Sequence, residues 1–126
     1  MRTIFKPVLA VALFLQFFGC QPKKEGSIKK IDKQTVMAEV VGKDVQLLDV
    51  RTPAEFTAGH IDGAVNFNIK DKETFLKQIS ALEKDEPVYL YCKKGGRSNS
   101  AAQLLRKEGF QNILDYSGGY DDWTRD

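Results

Sequence analysis

Val88-Tyr89-Leu90-Tyr91-Cys92-Lys93-Lys94-Gly95-Gly96-Arg97-Ser98 is the stretch on which the fold turns. Pro87 precedes it, and Val88 to Tyr91 then run apolar and aromatic without a break, as a buried strand does. Cys92 to Arg97 form a polar loop with two glycines. From Ser98 the spacing changes to that of a helix, with Ala101, Leu104 and Leu105 inward and Gly109 as its stop. A strand that hands over to a helix through a tight loop is half of a parallel βαβ unit.

The same alternation extends outward in both directions. Upstream, Val45 to Val50 is a second Val- and Leu-rich run suited to a buried strand, and Thr52-Pro53 opens a short helical turn through Phe56. Ala64 to Asn68 reads as a further strand, and Asp71 caps a helix with Phe75, Leu76, Ile79 and Leu82 on one face. Nearer the start, Ile28 to Ile31 is a short strand and Asp32 an N-cap, with Ile31 and Val36 at hydrophobic-staple positions. Val36, Val40 and Val41 give that helix its apolar face before Gly42 ends it. Downstream, Asn112 to Asp115 is a last strand. The class is therefore α/β, with a mainly parallel central sheet flanked by helices on both faces. Ligands of such sheets bind beyond the carboxyl ends of the strands. Asp49 to Arg51, Cys92 to Arg97, and Tyr116 to Gly119 all fall there.

The first 20 residues read differently. Arg2 and Lys6 precede a 12-residue apolar run, residues 7–18, followed by Gly19, Cys20 and a polar stretch. That is the layout of a secretory signal, and the run is shorter than the roughly 20 residues that span a bilayer. The segment Phe17-Phe18-Gly19-Cys20 resembles a bacterial lipoprotein signal, cut before a cysteine that then carries lipid. The expected organisation is a cleaved signal peptide over 1–19, a lipidated tether over 20–27 and one domain over 28–126. The expected location is the bacterial cell envelope, with the protein anchored in a membrane through Cys20 and facing the periplasm. Removing Arg2 and Lys6 leaves 17 basic against 17 acidic residues, so nothing favours nucleic acid as a partner.

Cys92 is then the single remaining thiol of an exported chain: buried and inert, held in an intermolecular bond, or reactive. Its place between strand end and helix start favours reactivity. Gly95 and Gly96 let the backbone curl so that several N–H groups converge, which forms an anion nest at a helix entrance. Lys93, Lys94 and Arg97 add three positive charges, and all of this favours the thiolate. With one histidine, His60, and one free cysteine, no ordinary zinc site is available.

Three motifs in order give a resemblance. Cys92-Lys93-Lys94-Gly95-Gly96-Arg97-Ser98 is similar to the rhodanese active-site loop, with Lys93 where arginine is common. Asp49 to Asn66, reading D-V-R-T-P-A-E-F-T-A-G-H-I-D-G-A-V-N, looks like the second signature of that family. Gly118-Gly119-Tyr120-Asp121-Asp122-Trp123 resembles its Gly-Gly…Trp ending. The chain departs from the pattern in lacking a proline after Gly63-Ala64 and in stopping just beyond Trp123.

The resemblance implies a single-domain sulfurtransferase of rhodanese fold that needs no cofactor. Cys92 would take a sulfane sulfur from a small anionic donor and pass it to a thiol acceptor or cyanide. Lys93, Lys94, Gly95, Gly96, Arg97 and Ser98 would bind donor and persulfide. Asp49 and Arg51 would support the loop, or simply pair with each other. Glu55 fits a scaffold network, His60 a structural role rather than a catalytic base, and Trp123 core or pocket-wall packing. A second reading is a lipid-anchored persulfide carrier or sensor with little turnover. A third is a Cys-dependent phosphatase or arsenate reductase. The related dual-specificity phosphatases have a loop one residue longer than the four, Lys93 to Gly96, found here. The shorter loop makes a cradle better suited to sulfur than to a tetrahedral phosphate.

Overall fold

The computed structural model describes residues 25–126. The expected signal, Cys20 and most of the tether lie outside the described residues. In chain order the elements are β1 (Ser27–Ile31), α1 (Lys33–Glu39), β2 (Gln46–Asp49), α2 (Pro53–Ala58) and β3 (Val65–Asn66). They continue with α3 (Lys72–Ile79), β4 (Val88–Tyr91), α4 (Gly96–Lys107), β5 (Asn112–Tyr116) and α5 (Gly119–Trp123). The five strands form one parallel sheet in the order β1-β5-β4-β2-β3.

The sheet divides the core in two. Alternate residues of each strand face opposite sides. Leu48, Val50, Val88, Leu90, Cys92 and Ile113 point to the side covered by α3 and α4, where Phe75, Ile79, Ala101 and Leu105 meet them. Leu47, Tyr89, Tyr91, Leu114 and Tyr116 point the other way, toward Val36 of α1 and Val40 just past its end, Ile61, and Tyr120 and Trp123 of α5. β4 is buried at every position because helices cover both of its faces, as its unbroken apolar run implies.

Caps set the helix starts. Asp32 accepts from the Thr35 N–H at 2.9 Å, and Asp71 from the Thr74 N–H at 3.3 Å. Thr52 and Glu55 form a reciprocal capping box ahead of α2, with Pro53 as its first residue.

Four elements depart from the sequence reading as follows. The strand expected over Ala64–Asn68 is only Val65–Asn66, because β3 is an edge strand paired with β2 at Leu48 and Asp49 alone. α4 begins at Gly96 rather than Ser98: Gly95 takes a φ of 101° and turns the chain two residues earlier, which places Arg97 and Ser98 in the first helical turn. Val40 and Val41 lie beyond the end of α1; Val40, its C-cap, is buried beside Val36, whereas Val41 is exposed. The strand read from Ile28 also gains Ser27, which pairs with Asn112.

Candidate active site

Cys92 follows the last residue of β4, and its Sγ lies on the α4 side of the sheet with only 1% of the residue exposed. The loop behind it closes on the sulfur. The Gly95 N–H donates to Cys92 Sγ at 3.0 Å, and the thiol lies 3.5 Å from the Ser98 hydroxyl, itself fully buried. α4 is 12 residues long and starts one residue after that N–H, so the positive end of its dipole is directed at the sulfur. Glycine is required at two places around the loop. A Cβ on Gly95 would collide with the Ser117 carbonyl, and one on Gly119 with the carbonyls of Cys92 and Lys93; both have positive φ, 101° and 70°. These close approaches let the start of α5 grip the loop: Tyr120 N–H donates to the Cys92 carbonyl at 2.8 Å and Asp121 N–H to that of Lys93 at 3.1 Å.

The three cations of the loop have different fates. Lys93 Nζ meets Asp121 Oδ1 at 2.7 Å. Arg97 makes a two-pronged contact with Glu55, Nη1 to Oε1 at 2.6 Å and Nη2 to Oε2 at 2.9 Å. The Arg97 hydrogen bond pulls the Glu55 carboxyl down to about 2, and the same contact raises Arg97. Lys94 is exposed and, among the described residues, lies beside an open cavity of about 350 Å³ lined also by Ser117, Gly118, Asp121 and Arg125. The sequence shows the three positive charges side by side. It does not show that Glu55 and Asp121 come across to two of them.

Asp49 and Arg51 lie on the opposite face from the sulfur and pair with each other, Nη2 to Oδ2 at 2.6 Å, with both side chains nearly out of solvent. Arg51 also donates to the Gly59 carbonyl at 2.7 Å and stacks 4.3 Å from the Tyr120 ring centre. Tyr91 OH donates to Asp49 Oδ2 at 2.7 Å and accepts from the Ile61 N–H at 3.0 Å. Asn66 Nδ2 bridges the carbonyls of Asp49 and Arg51. Burial, then Asp49, raise the Tyr91 phenol far above its ordinary value. Burial opposes the Arg51 charge, and Asp49 more than offsets it, so the guanidinium is held more firmly protonated. The pair reaches the loop indirectly: Arg51 braces the Tyr120 ring, and the Tyr120 backbone holds the Cys92 carbonyl. Sequence reading missed the roles of Tyr91, Asn66 and Tyr120, which are ordinary strand and turn residues until folding brings them together.

His60 is exposed; its Nδ1 is 2.9 Å from the Phe56 carbonyl and its ring stacks on Phe56 at 3.8 Å, away from the sulfur's hydrogen-bond partners. Trp123 packs edge-on against Tyr116. Among the described residues no group of three or more His, Cys, Asp or Glu side chains is placed to hold a metal ion.

A thiol at a strand end, with the Gly95 N–H upon it and a helix entrance behind it, is an arrangement suited to carrying an anionic sulfur. The model of the rhodanese-like domain family matches residues 32–126. The chain belongs to the rhodanese-like family. This rhodanese-like chain is 45% identical over 82 residues to the uncharacterized protein YqhL of Bacillus subtilis, a match covering 64% of this chain and 62% of that protein. It is 33% identical over 97 residues to the thiosulfate sulfurtransferase GlpE of Shewanella oneidensis, covering 77% of this chain and 93% of GlpE. The human single-domain sulfurtransferase TSTD1 superposes with a TM-score of 0.65 at 26% identity, over 75% of this chain and 93% of TSTD1. A rhodanese-related protein of Thermoplasma volcanium superposes at 0.64 with 30% identity, over 75% and 89%.

Proposed function

We propose that the chain is a sulfurtransferase that moves a sulfane sulfur through a persulfide on Cys92. The observation that carries this is the closure of the Gly95 N–H and the α4 N-terminus on Cys92 Sγ, which favours negative charge on that sulfur and on one bonded to it. The Cys92 thiolate attacks the outer sulfur of thiosulfate; a new S–S bond forms, the old one breaks, and sulfite leaves with its electron pair. An acceptor thiolate then attacks the outer sulfur of the Cys92 persulfide, and Cys92 leaves as thiolate. Membership beside a thiosulfate sulfurtransferase and a single-domain sulfurtransferase supports this choice of chemistry. Lys94 is the loop cation best placed to meet an incoming anion, since Lys93 and Arg97 already hold carboxylates. The resemblance of residues 17–20 to a lipoprotein signal supports a membrane anchor at Cys20 and a place in the bacterial cell envelope, with the domain on the periplasmic side.

Mass spectrometry after thiosulfate exposure tests the reading. The Cys92 peptide should gain one sulfur atom and lose it to cyanide or a small thiol, with thiocyanate released catalytically. An adduct without turnover assigns the chain to persulfide carriage instead. The absence of an adduct with thiosulfate and with persulfide donors overturns the proposal.

A further inference from the structure

The outer face of α4 has no part in the chemistry above. Ser100, Gln103, Leu104 and Lys107 are spaced three and four apart and share that face, while Ala101, Ala102 and Leu105 are buried on the other. Between it and the start of α3 lies an open groove of about 540 Å³. Half-buried Ile69 and Leu104 line it, and Lys72, Arg106 and Lys107 bring three positive charges. Among the described residues none of the three is in a salt bridge; Arg106 donates to the Gln103 amide oxygen at 3.0 Å. The fold accounts for Arg106 and Lys107, because the dipole of α4 favours cations in its last turn. It does not account for Lys72, the first residue of α3, where the same kind of field disfavours a cation. Glu25, the one acid that lines the groove, belongs to the tether and lies five residues after Cys20.

We propose that this groove is a docking face for the phosphate headgroups of an anionic lipid surface, and that it sets the orientation of the anchored domain. The inference rests on the lipid anchor proposed at Cys20. Five residues of fully extended chain reach at most about 18 Å. An anchor at Cys20 therefore holds Glu25, and the groove beside it, close to the bilayer. Charge selects the occupant. Lys23 and Lys24 of the tether carry the same sign as the groove, and a second copy of the chain presents the same cations, so neither complements it. An anionic lipid surface does, attracting clustered lysine and arginine within a Debye length of about 8–10 Å. Lys72, Arg106 and Lys107 take the headgroup phosphates, and Ser100 and Gln103 add hydrogen-bonding groups between them. A basic patch beside a lipid chain strengthens attachment and fixes which side of the domain faces the membrane. None of these residues touches Cys92 Sγ, whose partners are Gly95 and Ser98, so docking leaves the reactive loop as it is.

The test is photocrosslinking in vesicles. The full acylated chain carries a benzophenone amino acid either at Gln103, in the groove, or at Met37, exposed on α1 across the sheet. The vesicles are phosphatidylcholine alone, or equal parts phosphatidylcholine and phosphatidylglycerol. In the anionic vesicles the Gln103 probe should capture phospholipid severalfold more than the Met37 probe. That excess should be lost in phosphatidylcholine alone and should shrink as salt is raised. Lys72→Gln, Arg106→Gln and Lys107→Gln together should remove most of the capture, while the protein stays with the vesicles through its lipid and keeps its thiosulfate turnover. The comparison of the two lipids needs no cation variant. Equal capture by both probes, capture indifferent to phosphatidylglycerol, or a Gln103 crosslink to the tether or to a second copy overturns the proposal. A chain held on nickel-chelating lipid by a histidine tag in place of residue 20 separates this inference from the anchor beneath it. Groove capture there, with no acyl chain found on the Cys20 peptide of the wild-type protein, overturns the anchor and leaves the docking face in place.

Discussion

Two of the three cations beside Cys92 meet a carboxylate from elsewhere in the chain, Lys93 at Asp121 and Arg97 at Glu55. The local field at the sulfur therefore owes more to the Gly95 N–H and the α4 dipole than a count of lysines and arginines suggests. Glu55→Gln weakens one of these pairs and should have two effects. Arg97 becomes available to an anionic donor, so KM for thiosulfate should fall severalfold in a thiocyanate assay. Stability should also change with pH in a defined window. In the folded state Glu55 titrates at about 2, below its usual 4.5. The ion pair stabilises the fold fully above pH 4.5, and that contribution disappears as pH falls through about 2. Both side chains are about a quarter exposed, so the effect is about 1–2 kcal/mol rather than the full linkage value. Urea unfolding of wild type and Glu55→Gln across that range measures it; equal acid limbs refute it. Asp115 has the opposite sign. It is fully buried, among the described residues neither of its oxygens has a hydrogen-bond partner, and burial raises its carboxyl. Stability is therefore lost as pH rises through the folded value, so Asp115→Asn should be more stable than wild type at neutral pH. Cys92→Ser should abolish both the sulfur adduct and turnover, since an alcohol is a far weaker nucleophile at this pH.

At the scale of elements, the loop between β4 and α4 is held from outside as much as by its own sequence. Gly95→Ala should therefore lower stability by about 1–3 kcal/mol and turnover with it, because the φ of 101° is unfavourable to alanine and the Ser117 carbonyl occupies the space. Wild-type stability and kinetics in that variant would show the grip of β5 and α5 to be unimportant. β4, α3 and the capped helix starts were legible because their signals are local: an unbroken apolar run, residues three and four apart, and Asp or Thr beside the first turn. The order and class of the elements followed from these. α5 was not read as a helix, since five residues carry too little periodicity. β3 was read too long because the sequence does not reveal that it lies at an edge with a single neighbour. Within the site, Cys92 and its glycines stand out in the sequence, whereas the Arg97–Glu55 contact joins residues 42 apart and no local pattern announces it. Asp115 was hidden for a related reason: an acid near the end of a strand reads as a solvent-facing residue, and only the cover of α4 makes it a buried one.

For the molecule as a whole, the Asp49–Arg51 pair ties β2, β4, the Gly59 turn and α5 together across one face of the sheet. Arg51→Ala should cost about 3–5 kcal/mol in urea unfolding, because it strands a buried carboxylate. Tyr91→Phe, which removes one hydrogen bond to that carboxylate, should cost about 1–3 kcal/mol. Variants as stable as wild type would show that this network does not carry the fold. The proposed anchor is tested at the same scale: Cys20→Ala should move the protein out of the membrane fraction, and an uncleaved, membrane-bound variant would refute lipidation. The order of the sheet has a further consequence for how the chain is made. β1 pairs with β5 alone, Ser27 against Asn112, so the earliest strand has no hydrogen-bonding neighbour until nearly the last one is synthesised. Until then its backbone polar groups must be satisfied by water, and closing so long a loop is slow. A nascent or truncated chain that ends before Asn112 cannot complete the sheet and leaves one edge of β4 open, so it should stay unfolded and prone to aggregate. That delay suits the export proposed above, since a chain that cannot fold early remains thin enough to thread a translocation channel.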